Sequence, residues 1–528
     1  MDATDLDPLH RVSGPATAWT RVNIAEGIPG ISTPLNWSWW DDANERMIRG
    51  AYCDLGVLAS VELPDPRRVD ERASAIFYGR PALNVDVSRR LADLQPGTSG
   101  EALERHYFGA VRPEAVSRRS RRRYPMIAFR LPGQWLRVPG QLRGLYHEAL
   151  GFWQQTTAPD ALEDVAIARR RLAEAQVRFE AIARPHSVLA LLGGVLMQQV
   201  TRVAETAGRP EAVLDALGGY DSIELETLTE LIEVRRGTRT LAEFLRVRGY
   251  QGPQQGEISA ISWREDPGPV RALVESLDPE RSPITALAAE RSAKRSHAEA
   301  AILAGLSGWR RRWATWLFRE AARMLPERES GKAAMMLCLD AARACVRRIG
   351  AEHVRRGELS EVEDVFFLTL AELQATLPGD ARTRVAARRK QREEYRTLEL
   401  PESWIGMVAP RATTQAEDTA PLSGLGVSPG IAEGEARVVA DGAGELLPGE
   451  ILVCTATDPS YAGYFLVAAG VVTDIGGAMG HGAIVAREVG IPCVVNTKVA
   501  TRRLRTGDRI RIDGTMGTIE ILSTGGPA

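Results

Sequence analysis

Of the seven histidines in this 528-residue chain, His481 is the one whose neighbours suit it to chemistry. The segment TDIGGAMGH places it after a β-branched run, in a glycine-rich turn, at the start of the helical pattern HGAIVAREVG. Gly476, Gly477 and Gly480 permit left-handed or tight backbone geometry and leave amide N–H groups uncovered, and a helix N-terminus adds a field that favours a bound anion. These glycines are the expected phosphate-binding positions. An imidazole with an ordinary pKa of about 6.5 offers a neutral, nucleophilic ring nitrogen near neutral pH, so it is a suitable carrier for a phosphoryl group. A glycine-flanked histidine taken alone fits a buried structural residue or a helix cap as well.

Two other clusters have types and spacing that bear on function. In RESGK (328–332), Arg328 and Lys332 are four residues apart, so a helix projects them from one face and lets them act together. The same segment also reads as a surface helix with Glu329 and Lys332 as solvated charges. Trp37, Trp39 and Trp40 form an aromatic stretch suited to line an apolar pocket; the alternation of Trp37 and Trp39 equally suits a core-facing strand edge. His186, before the apolar run SVLALLGGVLMQQV, reads as a helix-start residue rather than a second catalyst. The charge run SRRSRRRYP (117–125) reads as a solvated loop or helix end, with a docking patch for an acidic partner as the alternative.

The elements that must position these residues fall into two textures. Apolar residues recur at helical spacing over 160–208, 221–248, 283–325 and 332–357, which predicts a mainly α-helical middle. From about 401, PESWIGMVAPRATTQAEDTAPLSG has no periodicity and is expected to be a linker. Short β-branched runs follow at 435, 449, 470, 492, 508 and 517. Asp458 and Pro459 read as the N-cap and first residue of a helix over PSYAGYFLVAAG, and HGAIVAREVG as a second helix closed by Gly490 and Pro492. The expected architecture is a mainly α-helical substrate-binding region over 1–400, in one domain or two subdomains, a linker over 401–424, and a compact α/β (β/β/α) domain over 425–528.

GLGVSPGIAEGEARVV, LPGEILVCTATDP, GVVTDIGGAMGHGAIVAREVGIPCVV and TGDRIRIDGTMGTIEIL, within 424–522, together resemble the mobile phosphohistidine domain of phosphoenolpyruvate-utilising enzymes. In that family the histidine of GG-x-x-[ST]-H is phosphorylated at a nucleotide- or phosphoenolpyruvate-bound domain and swings to an acceptor. The resemblance therefore makes His481 the catalytic carrier of a swivelling domain, with Gly480 where the family usually has Ser or Thr. Residues 21–380 resemble the substrate-binding region of the rifampicin phosphotransferase family through NIAEGIPGISTPLNWSWW (23–40), FYGRPALNV (77–85), RVRGYQGPQQGEI with WREDP (246–267), RESGK and GELSEVEDVFFLTLAEL (357–373). Tyr250 and Gln251 stand where that family often has His-Arg. This second resemblance implies that Arg328 and Lys332 approach the acceptor hydroxyl, Arg328 offsetting phosphoryl charge and Lys332 taking the proton, and that the tryptophans line the ligand pocket.

The chain shows no GxxxxGK[ST] and no G-x-G-x-x-G after a strand, so nothing in it is expected to charge His481 from ATP. The expectation is a dikinase-type phosphotransferase subunit served by a separate ATP-grasp partner, as resemblance to split systems such as phenylphosphate synthase implies. ATP and Mg²⁺ would sit on that partner, none on this chain, and the acceptor would be a hydroxyl of a small apolar molecule. Phosphoenolpyruvate is the other candidate donor. The competing expectation is a non-catalytic ligand-binding or regulatory protein with a degenerate phosphohistidine domain.

Bulk properties narrow the rest. Lys plus Arg (66) against Asp plus Glu (68) gives no electrostatic reason for a nucleic-acid partner. No stretch reads as apolar enough to span a bilayer, and MDATDLDPLHRVSG lacks the pattern of a secretion signal. Five cysteines, at 53, 338, 345, 454 and 493, fit neither a disulfide framework nor a CxxC metal site, so reduced thiols, no metal and a cytoplasmic location are expected.

Overall fold

A computed structural model describes the chain except for residues 1–6, 23, 29, 63–65, 67, 109–110, 114, 221, 278–283, 413–420, 440–445, 458, 478–479 and 526–528. It divides into two compact units. The first takes Met1–Leu189, Gly256–Ser259 and Gly331–Thr414, and the second Ala190–Gln255, Ala260–Ser330 and Gln415–Ala528. The helical region and the β-rich C-terminal domain follow one another along the chain as composition predicts.

In the first unit a four-stranded antiparallel sheet runs in the order Ser74–Phe77, Arg80–Asn84, Ala18–Thr20, Ser403–Ile405. Its hairpin turns at Tyr78 and Gly79, both with positive φ (48° and 73°), the pairing that lets a two-residue turn follow the twist of its strands. Trp19, Phe77 and Trp404 pack edge to face, with centroids 4.9 and 5.3 Å apart. Trp404 explains why part of the expected linker is folded. Burying its indole favours a strand over 403–405 that composition alone does not show. Strands Arg411–Ala412 and Leu422–Ser423 also fall within the expected linker, of which 413–420 lies outside the described residues.

Segment Gly256–Ser259 belongs to this unit through polar clamps. Thr33 donates from its backbone and hydroxyl to the Glu257 carboxylate, Ile258 donates to Asn36 Oδ1, and the buried Arg343 donates to the Glu257 and Ile258 carbonyls. Arg343 is itself held by Asp340, which also accepts from Trp153 Nε1 at 2.7 Å.

The helix pattern is realised with three differences. The patterns at 283–325 and 332–357 give Ile284–Ala304 and one 48-residue helix, Gly308–Arg355, that runs through RESGK and tolerates Pro326 inside it. His186 does not start a helix. It lies within Val165–Thr206, which accommodates Pro185 just before it. Contrary to the expectation that no stretch is apolar enough to span a bilayer, Val165–Thr206 contains a window of mean hydropathy 1.3. It buries a stripe that includes Leu172, Phe179, Ile182, Leu189 and Leu196, the pattern of a helix packed along one side.

The C-terminal domain, in the second unit, is built on an eight-stranded sheet. Four parallel strands, Ile431–Val439, Ile451–Cys454, Gly470–Thr473 and Cys493–Val495, form its centre; antiparallel strands flank them. Alternation separates two cores. Ile451, Val453, Val472 and Val494 pack on one face, whereas Leu452, Cys454, Val471, Cys493 and Val495 pack on the other. The second face is covered by Pro459–Leu466, a 3₁₀ helix rather than the expected α-helix, and by the α-helix His481–Val489. Asp458, read as the N-cap, lies outside the described residues. These covering elements share their core with Ile223–Arg236 and Gly268–Ser276 through Leu231, Val270, Leu273, Tyr461, Phe465 and Ala483.

Candidate functional site

His481 is the first residue of a nine-residue helix that begins just beyond the C-terminal end of the parallel strand Gly470–Thr473. Its backbone is described and its side chain is not. Gly480 is the N-cap at φ −69°, ψ 162° and offers no side-chain cap, so the first amides of the helix keep their anion-binding capacity. Of the expected left-handed or tight geometry, the glycine loop shows the tight alternative at Gly476. Gly480 adopts angles open to any residue and Gly476 is nearly extended at φ 159°. Gly476 is needed for closeness, since a Cβ there would lie 3.1 Å from Val495 Cβ and 3.2 Å from Thr473 Oγ1. Gly482, one residue after the histidine, is tighter still, its Cβ position lying 2.6 Å from Thr457 Oγ1. At the other end the helix closes on Gly490 in the left-handed region at φ 82°.

A buried carboxylate anchors this loop. Asp474 accepts from the Thr497 hydroxyl at 2.9 Å, from the Thr501 amide at 3.2 Å and from the Thr501 hydroxyl. The Lys498 amide donates to the Asp474 carbonyl at 3.0 Å, tying the histidine loop to a second loop in which Asn496 and Lys498 hold positive φ (59° and 68°). Burial pushes the Asp474 carboxyl above the usual range, and the bonds from Thr501 and Thr497 draw it back. From sequence, Asp474 is only the acid that precedes the glycines, and its partners more than twenty residues on carry no local signal.

The histidine helix is braced from outside the sheet. Ile284–Ala304 packs against it, and Glu488 accepts from the Gly219 amide at 3.1 Å. Gly463 approaches Leu273 so closely that a Cβ there would lie 2.2 Å from Leu273 Cδ2.

Arg328 and Lys332 are both helical, as their spacing predicts, on Gly308–Arg355. Arg328 donates to the Glu329 carboxylate from Nε at 3.2 Å and Nη2 at 3.0 Å. Lys332 is partly buried and follows Gly331, whose missing side chain lets His186 approach. A Cβ on Gly331 would stand 2.8 Å from His186 Nδ1 and 3.2 Å from Leu142 Cδ2. The structure thus brings His186 to the RESGK segment, a neighbour that chain separation hides.

Trp37, Trp39 and Trp40 lie on the helix Pro34–Asp54, capped by Thr33 with Pro34 at its first position, and not on a strand. All three are core residues, at 2%, 1% and 8% exposure. Phe179 meets the rings of Trp39 and Trp40 edge-on at 5.5 and 4.9 Å, and Trp40 Nε1 donates to the Gly256 carbonyl. The indole N–H groups of Trp37 and Trp39 are buried without an acceptor among the described residues. No cluster of three or more metal-ligating side chains occurs among the described residues, and the five cysteines are buried and outside any disulfide.

Comparison with known proteins adds two matches. Residues 446–517, which include the glycine loop and His481, match the family described as PEP-utilising enzyme, mobile domain. Residues 155–329, which include Arg328 and stop short of Lys332, match the rifampicin phosphotransferase fourth domain. Both resemblances read from the motifs are thereby found, over narrower ranges. The chain is 44% identical over 177 residues to a rifampicin phosphotransferase of Streptomyces sviceus, covering 32% of this chain and 20% of that one. It is 31% identical over 340 residues to the prodigiosin synthesizing transferase PigC of Serratia marcescens, covering 61% and 38%. It is 35% identical over 299 residues to an uncharacterised protein of Mycobacterium tuberculosis, covering 54% and 32%. The chain therefore spans between a fifth and two fifths of the length of these relatives.

Proposed function

We propose that this chain is the carrier and acceptor-binding part of a phosphotransferase, with His481 receiving a phosphoryl group and passing it to a hydroxyl of a small, mainly apolar molecule. The observation that carries this reading is the placement of His481 at a helix N-terminus beyond the end of a parallel strand, behind a glycine loop held by Asp474. That is where α/β sheets bind ligands and where exposed amides stabilise phosphoryl oxygens. The match over 446–517 and the phosphotransferase names among the relatives support it.

In this reading a separate ATP-grasp protein, binding ATP with Mg²⁺, charges the histidine. ATP and water yield phosphohistidine, AMP and phosphate, and a ring nitrogen forms the new N–P bond. In the second half the acceptor oxygen attacks phosphorus, the N–P bond breaks with its electron pair returning to the imidazole, and the hydroxyl proton passes to Lys332. Arg328 offsets charge on the phosphoryl oxygens. Reduced cytoplasm is the compartment that suits five buried cysteines outside any disulfide.

One observation favours ligand binding without turnover. Gly480 gives the helix no capping hydroxyl beside the histidine. Incubation with an ATP-grasp protein, Mg²⁺, ATP and rifampicin, followed by mass spectrometry of the small molecule, separates the two readings. Transfer predicts one added phosphoryl group, lost with His481→Ala; unmodified rifampicin and an equal failure with other hydroxylated apolar compounds would leave ligand binding.

A further inference from the structure

The expected aromatic pocket is a packed core, so the acceptor needs another seat. The first unit has a groove of about 570 Å³ between the helices Tyr124–Thr156 and Val165–Thr206. That volume is within the range of small-molecule sites. Leu145, Ala149, Val177 and Ile182 supply apolar walls, and Val177 is 69% exposed, an apolar side chain left open to solvent at the groove.

The charges in the groove are unequal in availability. Glu174 is engaged by Arg171 at 3.0 Å, whereas the Arg178 guanidinium is steadied over the Phe152 ring, 4.7 Å from its centroid. With Arg170 also in the lining and Glu148 as the other acid, the site favours a ligand that brings a negative or electron-rich group.

The groove also points toward chemistry. His186 is one helical turn beyond Ile182, and Leu142 one turn before Leu145, and these two side chains converge on Gly331, next to Lys332. Pro185 has no N–H to donate to the Ala181 carbonyl, so the helix wall carries a backbone acceptor without its usual partner in that pattern.

We propose that this groove binds the body of the acceptor, an amphipathic small molecule with an apolar ring skeleton and one anionic or electron-rich group set against Arg170 and Arg178, its hydroxyl directed toward Lys332. The direction of the hydroxyl rests on the transfer reading above; the binding does not.

The probe is 1-anilinonaphthalene-8-sulfonate, an apolar ring system with one sulfonate, titrated into the full chain and followed by fluorescence. One saturable site is expected. Ala181→Trp, at an exposed lining position, fills the groove, and Arg178→Gln removes the anion partner; each is expected to weaken binding by about tenfold or more. Phe129→Ser, at an exposed apolar side chain on the other groove helix, Tyr124–Thr156, but outside the groove, is expected to leave affinity unchanged. Unchanged affinity in the first two variants, or loss in the third, overturns the proposal. Phosphorylation of His481 is measured on the same preparations. Probe binding that is sensitive to Ala181→Trp in a chain that cannot be phosphorylated would sink the carrier reading and leave the groove standing.

Discussion

Asp474 lies outside the proposed chemistry and holds the loop that leads to His481. It is buried, and its hydrogen bonds come from the loop at 496–501, so the start of the glycine loop is tied to a second loop far along the chain. Because burial raises its pKa, the folded chain holds a proton there at pH values where the unfolded chain has released it. The stabilisation from that proton is present at low pH and falls as pH rises from about 4 through the raised pKa. Protection of the 497–501 amides against hydrogen exchange should decline over that window in the wild type and not in Asp474→Asn; an unaltered slope in the variant would place the titration elsewhere. Lys332→Ala should slow transfer from His481 to an acceptor by about a hundredfold or more while leaving charging of His481 intact, and loss of both would make Lys332 structural. At this scale the helix start at His481 and the helical setting of Arg328 and Lys332 were legible because glycine neighbours and helical spacing are local. Asp474 and the His186–Gly331 contact were not, since their partners are distant in sequence, and the tryptophans were misleading because an aromatic run suits a core as well as a pocket.

Among elements, the histidine helix is held between its own sheet and helices from the middle of the chain. Leu273 is buried beside Gly463 in a core that joins Gly268–Ser276 to Pro459–Leu466. Leu273→Ala should cost about 2–5 kcal/mol locally and raise hydrogen exchange in both elements together. A response confined to Gly268–Ser276 would mean that the C-terminal domain does not use this core. Element types were read well where periodicity was strong and long, as in Val165–Thr206, and less well where proline intervened. Pro326 falls in the gap between the patterns at 283–325 and 332–357, yet it sits inside the single helix Gly308–Arg355.

For the whole molecule, the boundary near 401–424 marks where texture changes, but compact units follow contacts. Residues 190–330 cluster with the C-terminal domain, and four residues from the middle of that stretch, 256–259, cluster with the first unit through Glu257, Asn36 and Arg343. Composition cannot show this, because it averages along the chain and the clamps join residues more than two hundred positions apart. A carrier domain that swings must either open the core around Phe465 and Leu231 or take Ile223–Arg236 and Gly268–Ser276 with it. In the proposed function His481 carries the phosphoryl group. Its most direct test is to incubate the chain with an ATP-grasp protein, Mg²⁺ and ATP labelled at the β-phosphate, and to assay the protein for acid-labile, base-stable phosphate. Label on the wild type and none on His481→Ala is the predicted result; label of equal amount on both, or on neither with any ATP- or phosphoenolpyruvate-dependent donor, would contradict it.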